Sequence, residues 1–424
     1  MLIVEPYVTG HRGVWLRWIS EQLIKHKWRV VIATAAESLK QPSLAWLVAG
    51  PTSIEVVVVE HTGARVPSGS LRSLLTAQLR SYRLLKQLCT ETRRKHHVDA
   101  VLLPYGDYAM QLTALFGSPF GELPWIPIVM RPSFHYRRMG VSAPQPTLSA
   151  LRRALFYSFV RTPSLATCLT IDQPLYEFMR THSRLGHKMG YLPDPVDTIE
   201  PAGRTLARDS LDIPNDAVVV LAYGSLTARK GVQYLLPAVC SLGRTDLHVL
   251  CVGVPDSEFR TLLSGSEASL LMRAGRLHLI DRWVDQATEG VAFAAADIVW
   301  LGYVRHWQSS GVLVQAGRAQ LSSIACDAGL IGWTATRYQS GIVVSMGDQN
   351  AIVAALDALA TSPELRSNLG RNGSQGFASH TTDNAGAIIS DFLTDAVARV
   401  RPTRCGASAG ADEESADVPV RGNQ

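Results

Sequence analysis

Short apolar runs of strand length alternate with segments of helical periodicity along this chain, and the second half repeats the arrangement of the first. In the first half MLIVEPY, RVVIATA, SIEVVVVE, DAVLLPY, IPIVM and LATCLTI are near-continuous apolar runs bounded by turn residues. They read as strands buried on both faces, the pattern of a parallel sheet. In the second half AVVVLAYG, DLHVLCVGV, LHLID, DIVWLGY, SIACD and GIVVS read the same way. GVWLRWISEQLIKHK, GVQYLLPAVCSLG and AIVAALDALA carry their apolar residues at helical spacing instead. Alternation of this kind predicts α/β architecture with two parallel-sheet domains. The two prolines of YLPDPVD, residues 191 to 197, interrupt regular structure between the halves and mark a hinge. We therefore expect domains over 1–192 and 193–380, and a closing helix over 381–400. The small, charged and aperiodic tail over 401–424 is expected to be disordered.

Composition narrows the class. A chain of 424 residues is too long for one core, and 46% hydrophobic with 18% charged residues describes large buried sheets. The six cysteines, Cys89, Cys168, Cys240, Cys251, Cys326 and Cys405, form no CxxC pair. That is a reduced, cytosolic pattern with no zinc site. The N-terminus carries Glu5 and no basic leader, and no apolar run is long enough to span a bilayer. A cytoplasmic protein, neither secreted nor integral to a membrane, is expected.

The net charge of +5 conceals an asymmetry. Residues 1 to 200 hold 23 Lys and Arg against 14 Asp and Glu, or +9, and the remainder holds 18 against 22, or −4. Much of the excess lies in residues 70–97, where Leu71, Leu74, Leu75, Leu85 and Leu88 recur at helical spacing beside seven basic side chains. LRRALFYSFVR, residues 151–161, is a second such stretch. Basic amphipathic helices either rest on anionic lipid or present a core stripe backed by a solvated face. The leucine spacing favours the core stripe. Peripheral contact with the inner face of a membrane stays open, and no nucleic-acid partner is expected.

HWQSSGVLVQAGRAQLSSIACDAGLIGW, residues 306–333, is the most informative segment. Ser309, Ser310 and Gly311 stand between the strand-like DIVWLGY and the apolar-periodic start of a helix, so serine reads as an N-cap. A helix start at the end of a parallel strand offers N–H groups and a positive dipole end to an anion. An ordinary cap that binds nothing is the bland alternative.

Four blocks make the chain resemble a glycosyltransferase of the GT-B fold, close to glycosyltransferase family 4. TGHRGVWLRWISEQLIKHKWRVVIAT (9–34) resembles that family's opening glycine loop, helix and second strand. YLPDPVD resembles its interdomain linker, and LAYGSLTARKGVQYLLPAV (221–239) its G-x-L-x-x-x-K-G donor loop. Asp297 to Asp348, followed by ELRSNLGRNGSQGFASH (364–380), resembles its last block. The resemblance implies two Rossmann-like domains facing each other across a cleft. The N-terminal one would hold an acceptor and the C-terminal one a nucleotide sugar.

Departures accompany the matches. Ser225 stands where the family's arginine usually follows the first glycine, with Lys230 at the lysine position and Arg229 beside it as a substitute. The family's Glu-x7-Glu carboxylates fall on Trp307 and Gln315, so both are absent. Gln315 retains the capacity to hydrogen-bond a ribose hydroxyl. The S-S-G-V-L segment with the G-L-x-G turn Gly329, Leu330, Ile331 and Gly332 resembles a divergent branch of these enzymes.

Glycosyl transfer from a nucleoside diphosphate sugar places negative charge on the departing diphosphate, which cations and helix N-termini stabilise without a metal. Gly224, Arg229, Lys230, Ser309, Ser310, Gly311 and Gln315 are the candidates for binding this co-substrate; no other cofactor and no metal site are expected. Arg229 and Lys230 in a solvated loop are the alternative. In the first half, the loop Gly10, His11, Arg12, Gly13 follows strand one, at the edge where open sheets place ligands. His11 is the candidate to orient or deprotonate an acceptor hydroxyl, Arg12 to hold an anion, and His306 to contact the transferred sugar. Gly10, Gly13, Asp107 and Arg131 are acceptor-side candidates. His135, Arg137 and Arg138 read as a basic loop.

The favoured reading is a transferase moving a hexose to a glycan, lipid-linked or small-molecule acceptor, with retention implied by the resemblance. A binding or scaffold protein derived from such an enzyme is the alternative, given the absent carboxylates. A sugar-nucleotide epimerase would need an acid and base pair in the cleft, and no well-placed pair is evident.

Overall fold

The computed structural model describes residues 1–8, 11–49, 54–60, 71–197 and 202–400; the side chains of 11, 48–49 and 71–75 lie outside the description. Gly10 and the tail expected to be disordered lie outside it too.

The first sheet contains β1 (Leu2–Val4), β2 (Val30–Ala35), β3 (Ile54–Val59), β4 (Val101–Leu103), β5 (Trp125–Val129), β6 (Cys168–Thr170) and β7 (Met189–Tyr191). All pair in parallel, in the order β3-β2-β1-β4-β5-β6-β7. The second contains β8 (Val218–Tyr223), β9 (Leu247–Val252), β10 (Leu277–Ile280), β11 (Ile298–Leu301), β12 (Ser322–Cys326) and β13 (Gly341–Val344), parallel in the order β10-β9-β8-β11-β12-β13. Both orders reverse beside the first strand, so each sheet has a crevice at the carboxyl ends of its central strands. These crevices lie between β1 and β4 and between β8 and β11.

Helices cover both faces of each sheet, which is why the strands read as continuous apolar runs. Leu2 and Val4 pack with Leu84, Leu88, Phe156 and Phe159, while Met1 and Ile3 pack with Trp15, Ile19, Ile389 and Leu393 on the other face. Alternate residues of β8 divide in the same way, Val218 and Val220 to one core and Val219 and Leu221 to the other. In the helix Leu71–Lys95, Leu84, Leu85 and Leu88 form a buried core stripe.

The chain crosses between domains twice, and the crossings run side by side. Val196 pairs with Thr381 across a β-bridge, and the His380 Nδ1 lies 3.1 Å from the Asp194 carbonyl oxygen. The helix Thr382–Val400 then returns to the first domain. There Gln22 and Lys25 bond the Asp383 carboxylate and Trp28 Nε1 donates to Ser390 Oγ at 2.9 Å. Across the cleft, Trp333 Nε1 donates to the Met139 carbonyl at 3.0 Å, and Tyr136 Oη donates to the Trp307 carbonyl at 3.2 Å. Gly329 takes φ +69°, and a Cβ there would sit 2.4 Å from the Trp307 Cα, so the G-L-x-G turn needs its first glycine.

Candidate functional site

The loop after β8 is fastened to the loop after β11. Trp300 Nε1 donates to the Lys230 carbonyl at 2.9 Å and the Val304 N–H to the Arg229 carbonyl at 2.8 Å. Gly231 lies so close that a Cβ would sit 1.8 Å from the Gly302 oxygen, at a φ of +67°. Between these anchors Lys230 is only 4% exposed, its Nζ donating to the Tyr223 carbonyl and the Tyr303 hydroxyl. Two of its three donors are thus used inside the protein. The ammonium also sits 4.3 Å from the centre of the Tyr303 ring.

Arg229 Nη1 lies 3.1 Å from His306 Nδ1, and His306 Nε2 lies 3.2 Å from the Ser309 carbonyl oxygen. A guanidinium only donates and a carbonyl only accepts, which fixes the imidazole as neutral with its proton on Nε2. Burial, then Arg229 and Lys230, push the His306 pKa below its ordinary value, while the bond to Ser309 raises it. His306 therefore holds Arg229 in place. The sequence expectation gave it a contact with the transferred sugar, and the geometry adds this positioning role.

The helix Gly311–Arg318 begins without a side-chain cap, which corrects the reading of serine as a capping residue. Ser310 occupies the cap position, but its hydroxyl faces the Tyr303 hydroxyl at 3.4 Å. The Ser309 hydroxyl bonds the Asp194 carboxyl of the linker, which burial raises to about 6 against that bond. No serine side chain therefore caps the helix, although the Ser310 carbonyl takes the Leu313 N–H, and the positive end of the helix is linked to Lys230 through the Tyr303 hydroxyl, which accepts from both Ser310 and Lys230.

Gln315 lies one turn farther along this helix and donates to Glu289, a carboxylate on the helix Gln286–Ala295 that also accepts from the Tyr223 hydroxyl. Burial raises the Glu289 pKa, both bonds lower it, and Asp197 raises it further. A carboxylate thus stands beside the position where the Glu-x7-Glu pattern lacks one. Sequence reasoning missed it because Glu289 precedes the motif by a whole strand and loop. Tyr303 and Asp194 were missed for the same reason, since their contacts are made only by the fold.

The first-domain edge is more closed. Arg12 Nη1 donates to the Tyr7 carbonyl at 2.8 Å and stands 4.0 Å from the Glu5 carboxylate, with its guanidinium 4.9 and 4.7 Å from the Tyr105 and Tyr108 ring centres. Glu5 is buried, one oxygen lacks a partner, and burial lifts its pKa to about 8 against Arg12 and the Tyr7 N–H. Gly13 is a packing contact, where a Cβ would meet Ser43 Oγ at 2.4 Å. The Asp107 carboxylate accepts the N–H groups of Met130 and Arg131, so it ties two loops together, and the Arg131 side chain is exposed. The His11 backbone starts the helix His11–Lys25 at this edge.

His135 corrects the reading of a basic loop. Only Arg137 and Arg138 are exposed there, while His135 is fully buried and its Nε2 lies 3.2 Å from the Asp172 carboxylate, which caps the helix Gln173–His182. The structure brings Gly224, Arg229, Lys230, His306, Ser309, Ser310, Gly311 and Gln315 together at the second crevice, and Arg12 and Asp107 at the first. A hollow of about 630 Å3, lined by Arg93, Asp99, Glu122 and Val397, lies at the opposite edge of the first sheet, before β4 and β5. It is remote from this chemistry. Among the described residues no three His, Cys, Asp or Glu gather to hold a metal, and no helix is long and apolar enough to cross a membrane.

No protein-family model matches the chain. The structure resembles a sucrose-phosphate synthase of Thermosynechococcus elongatus, with TM-score 0.66 and 17% identity over 94% of this chain and 99% of that one. It also resembles WaaG, a glycosyltransferase involved in lipopolysaccharide biosynthesis, at 0.61 and 16% over 93% and 99%. HepE of Anabaena in complex with UDP matches at 0.65 and 14% over 93% and 99%. Two facing parallel-sheet domains with these neighbours define the GT-B glycosyltransferase fold. In sequence the chain is 26% identical over 190 residues to LpsD, a lipopolysaccharide core biosynthesis glycosyltransferase of Rhizobium meliloti (strain 1021). That match covers 45% of this chain and 52% of the relative, so it spans about half the relative's length.

Proposed function

We propose that this protein transfers a hexose from a nucleoside diphosphate sugar to a glycan, lipid-linked or small-molecule acceptor, with retention and without a metal. The observation that carries the reading is the start of the helix Gly311–Arg318, which has no side-chain cap and is joined through the Tyr303 hydroxyl to the buried Lys230 at the crevice between β8 and β11. Charge that builds on the departing diphosphate meets the first-turn N–H groups, the remaining Lys230 donor and Arg229. Donors held rigidly in a partly dry cleft stabilise that charge without reorganising.

Gln315 and Glu289 take the ribose hydroxyls, with the Gln315 amide turned by Glu289, which the Tyr223 hydroxyl also bonds. His306 keeps Arg229 at the diphosphate. His11, at the edge of the first sheet, is the group to orient the acceptor hydroxyl, and the hinge at residues 191–197 lets the domains close on both substrates. The curated relative's role in lipopolysaccharide core biosynthesis supports a glycolipid or lipid-linked acceptor. HepE structures that hold UDP and glucose or UDP-glucose support a nucleoside diphosphate sugar as donor.

A thermal-shift panel of nucleoside diphosphates and their sugars tests this, because a ligand that binds only the folded state raises the midpoint. The expected outcome is stabilisation by one nucleotide and its sugar, lost in Lys230→Met. No stabilisation of a folded sample by any member would return the chain to the scaffold role.

A further inference from the structure

Three elements lie on one face of the first sheet: the helices Leu71–Lys95, Met110–Phe116 and Ser149–Arg161. They are joined side to side. Tyr82 Oη donates to the Gly117 carbonyl at 3.0 Å, Ser158 Oγ to the Ala114 carbonyl at 2.8 Å, and the Tyr82 and Phe116 rings are 6.4 Å apart. Their inner sides fill the core with Leu84, Leu88, Phe156 and Phe159. Their outer sides should then be polar throughout.

They are not. Leu115 is 65% exposed, Phe116 66%, Leu148 71% and Leu151 52%, with Leu79 exposed as well. Charged side chains are interleaved with them, and those are basic. Arg80, Arg83 and Lys86 are exposed on the first helix, and Arg152 and Arg153 flank Leu151 on the third. From Leu71 to Arg161 the chain holds thirteen Lys and Arg against four Asp and Glu, a net +9 in a protein whose total is +5. One of those four acids, Asp107, is half-buried and turned to backbone amides. Of the other three, Glu91 pairs with Arg94, and Asp99 and Glu122 line the hollow before β4 and β5; among the described residues no ion pair reaches Arg80, Arg83, Lys86, Arg152 or Arg153.

We propose that this outer face of the first domain is a membrane-docking surface for anionic lipid. Exposed leucine and phenylalanine side chains enter the boundary between headgroups and acyl chains, and the arginines meet lipid phosphates. A second copy of the chain is disfavoured as occupant, because the face would oppose its own excess positive charge. The surface deepens the reading of a lipid-linked acceptor, since it would hold the acceptor domain against the layer where such a molecule resides. It shares no residue with the nucleotide site, so the two readings fail separately.

Co-sedimentation of the full chain with phosphatidylcholine vesicles, with and without phosphatidylglycerol, tests it. The substituted positions are exposed, and thermal midpoints verify that Leu115→Ser/Phe116→Ser and Arg152→Glu/Arg153→Glu still fold. The wild type is expected to sediment with the anionic vesicles alone, and each double variant to bind about tenfold more weakly, with nucleotide binding unchanged. Equal sedimentation of wild type and variants, or none with anionic vesicles, would overturn the proposal. Binding lost on charge reversal but kept in Leu115→Ser/Phe116→Ser would also overturn it, because the exposed leucine and phenylalanine would then take no part in docking.

Discussion

The two crevices share one strand order and differ in what their side chains leave available. Between β1 and β4, Arg12 is held by the Tyr7 carbonyl, Glu5 and two tyrosine rings, and Asp107 is turned to backbone amides. Between β8 and β11, a helix start has no side-chain cap and a buried cation shares the Tyr303 hydroxyl with it. Topology places a crevice at both points, while side chains decide whether it spends its hydrogen-bonding capacity internally or keeps donors for an anion.

The sharpest way to break the second crevice is Gly231→Ala. The new Cβ would sit 1.8 Å from the Gly302 oxygen at a φ of +67°, so the β8 loop must part from the β11 loop. We expect a destabilisation of about 3 kcal/mol or more in urea unfolding. Gly140→Ala has a φ of +71° and open space around it, and is expected to cost about 1 kcal/mol. Similar losses for the two would remove the argument from close approach. Lys230→Met keeps the buried stem and removes the charge, and is expected to weaken nucleoside diphosphate binding by about 2 kcal/mol, roughly thirtyfold, in calorimetry.

At the first crevice Glu5 offers a comparable stability test of opposite sense. Burial raises its pKa from the ordinary 4.5 to about 8, so the folded state binds the proton more tightly than the unfolded state. Stability from this group is fully present below about pH 4.5 and is lost as pH rises through about 8, on the order of a few kcal/mol. Glu5→Gln should flatten the stability profile across that window and make the protein more stable than wild type at its alkaline end. A profile with the same slope in both proteins would mean that Arg12 neutralises the carboxylate fully.

The strands were legible because burial on both faces writes a continuous apolar run into the sequence, and twelve of the thirteen parallel strands need little else to be seen. β7 was not, since three residues with Gly190 at their centre carry no such signal. Gly190 is there because a Cβ would strike Leu169 and Phe392, a constraint set by a helix two hundred residues away. The same distinction runs through the site. Lys230 and Gly311 follow strand ends in the sequence and were found from local pattern. Glu289, Tyr303 and Asp194 matter through the partners that folding brings to them, and local pattern is silent about partners.

Glu289 makes that difference measurable. Glu289→Gln keeps the shape beside Gln315 but removes the charge that turns its amide. We expect nucleoside diphosphate binding to weaken by about 1 kcal/mol, roughly fivefold, with little change for the 2′-deoxy analogue. Equal loss for both nucleotides would place Glu289 outside the ribose contact and leave it a structural partner of Tyr223.

The smallest effect is expected at His306, and its pattern is more informative than its size. Because Arg229 donates to Nδ1, His306→Ala should free the guanidinium and slow transfer about threefold to tenfold. In His306→Asn the side-chain oxygen takes the place of Nδ1 as an acceptor, so that variant should recover most of the rate. A lowered pKa keeps the imidazole neutral at and above neutral pH. Protonation as pH falls then removes the acceptor and repels Arg229, so the wild-type rate should be flat above neutrality and decline on the acid side, and the Asn variant should lack that decline. Failure of asparagine to rescue, together with an acid limb unchanged in both variants, would assign His306 to the transferred sugar, the contact its place before the Ser-Ser-Gly segment first implied.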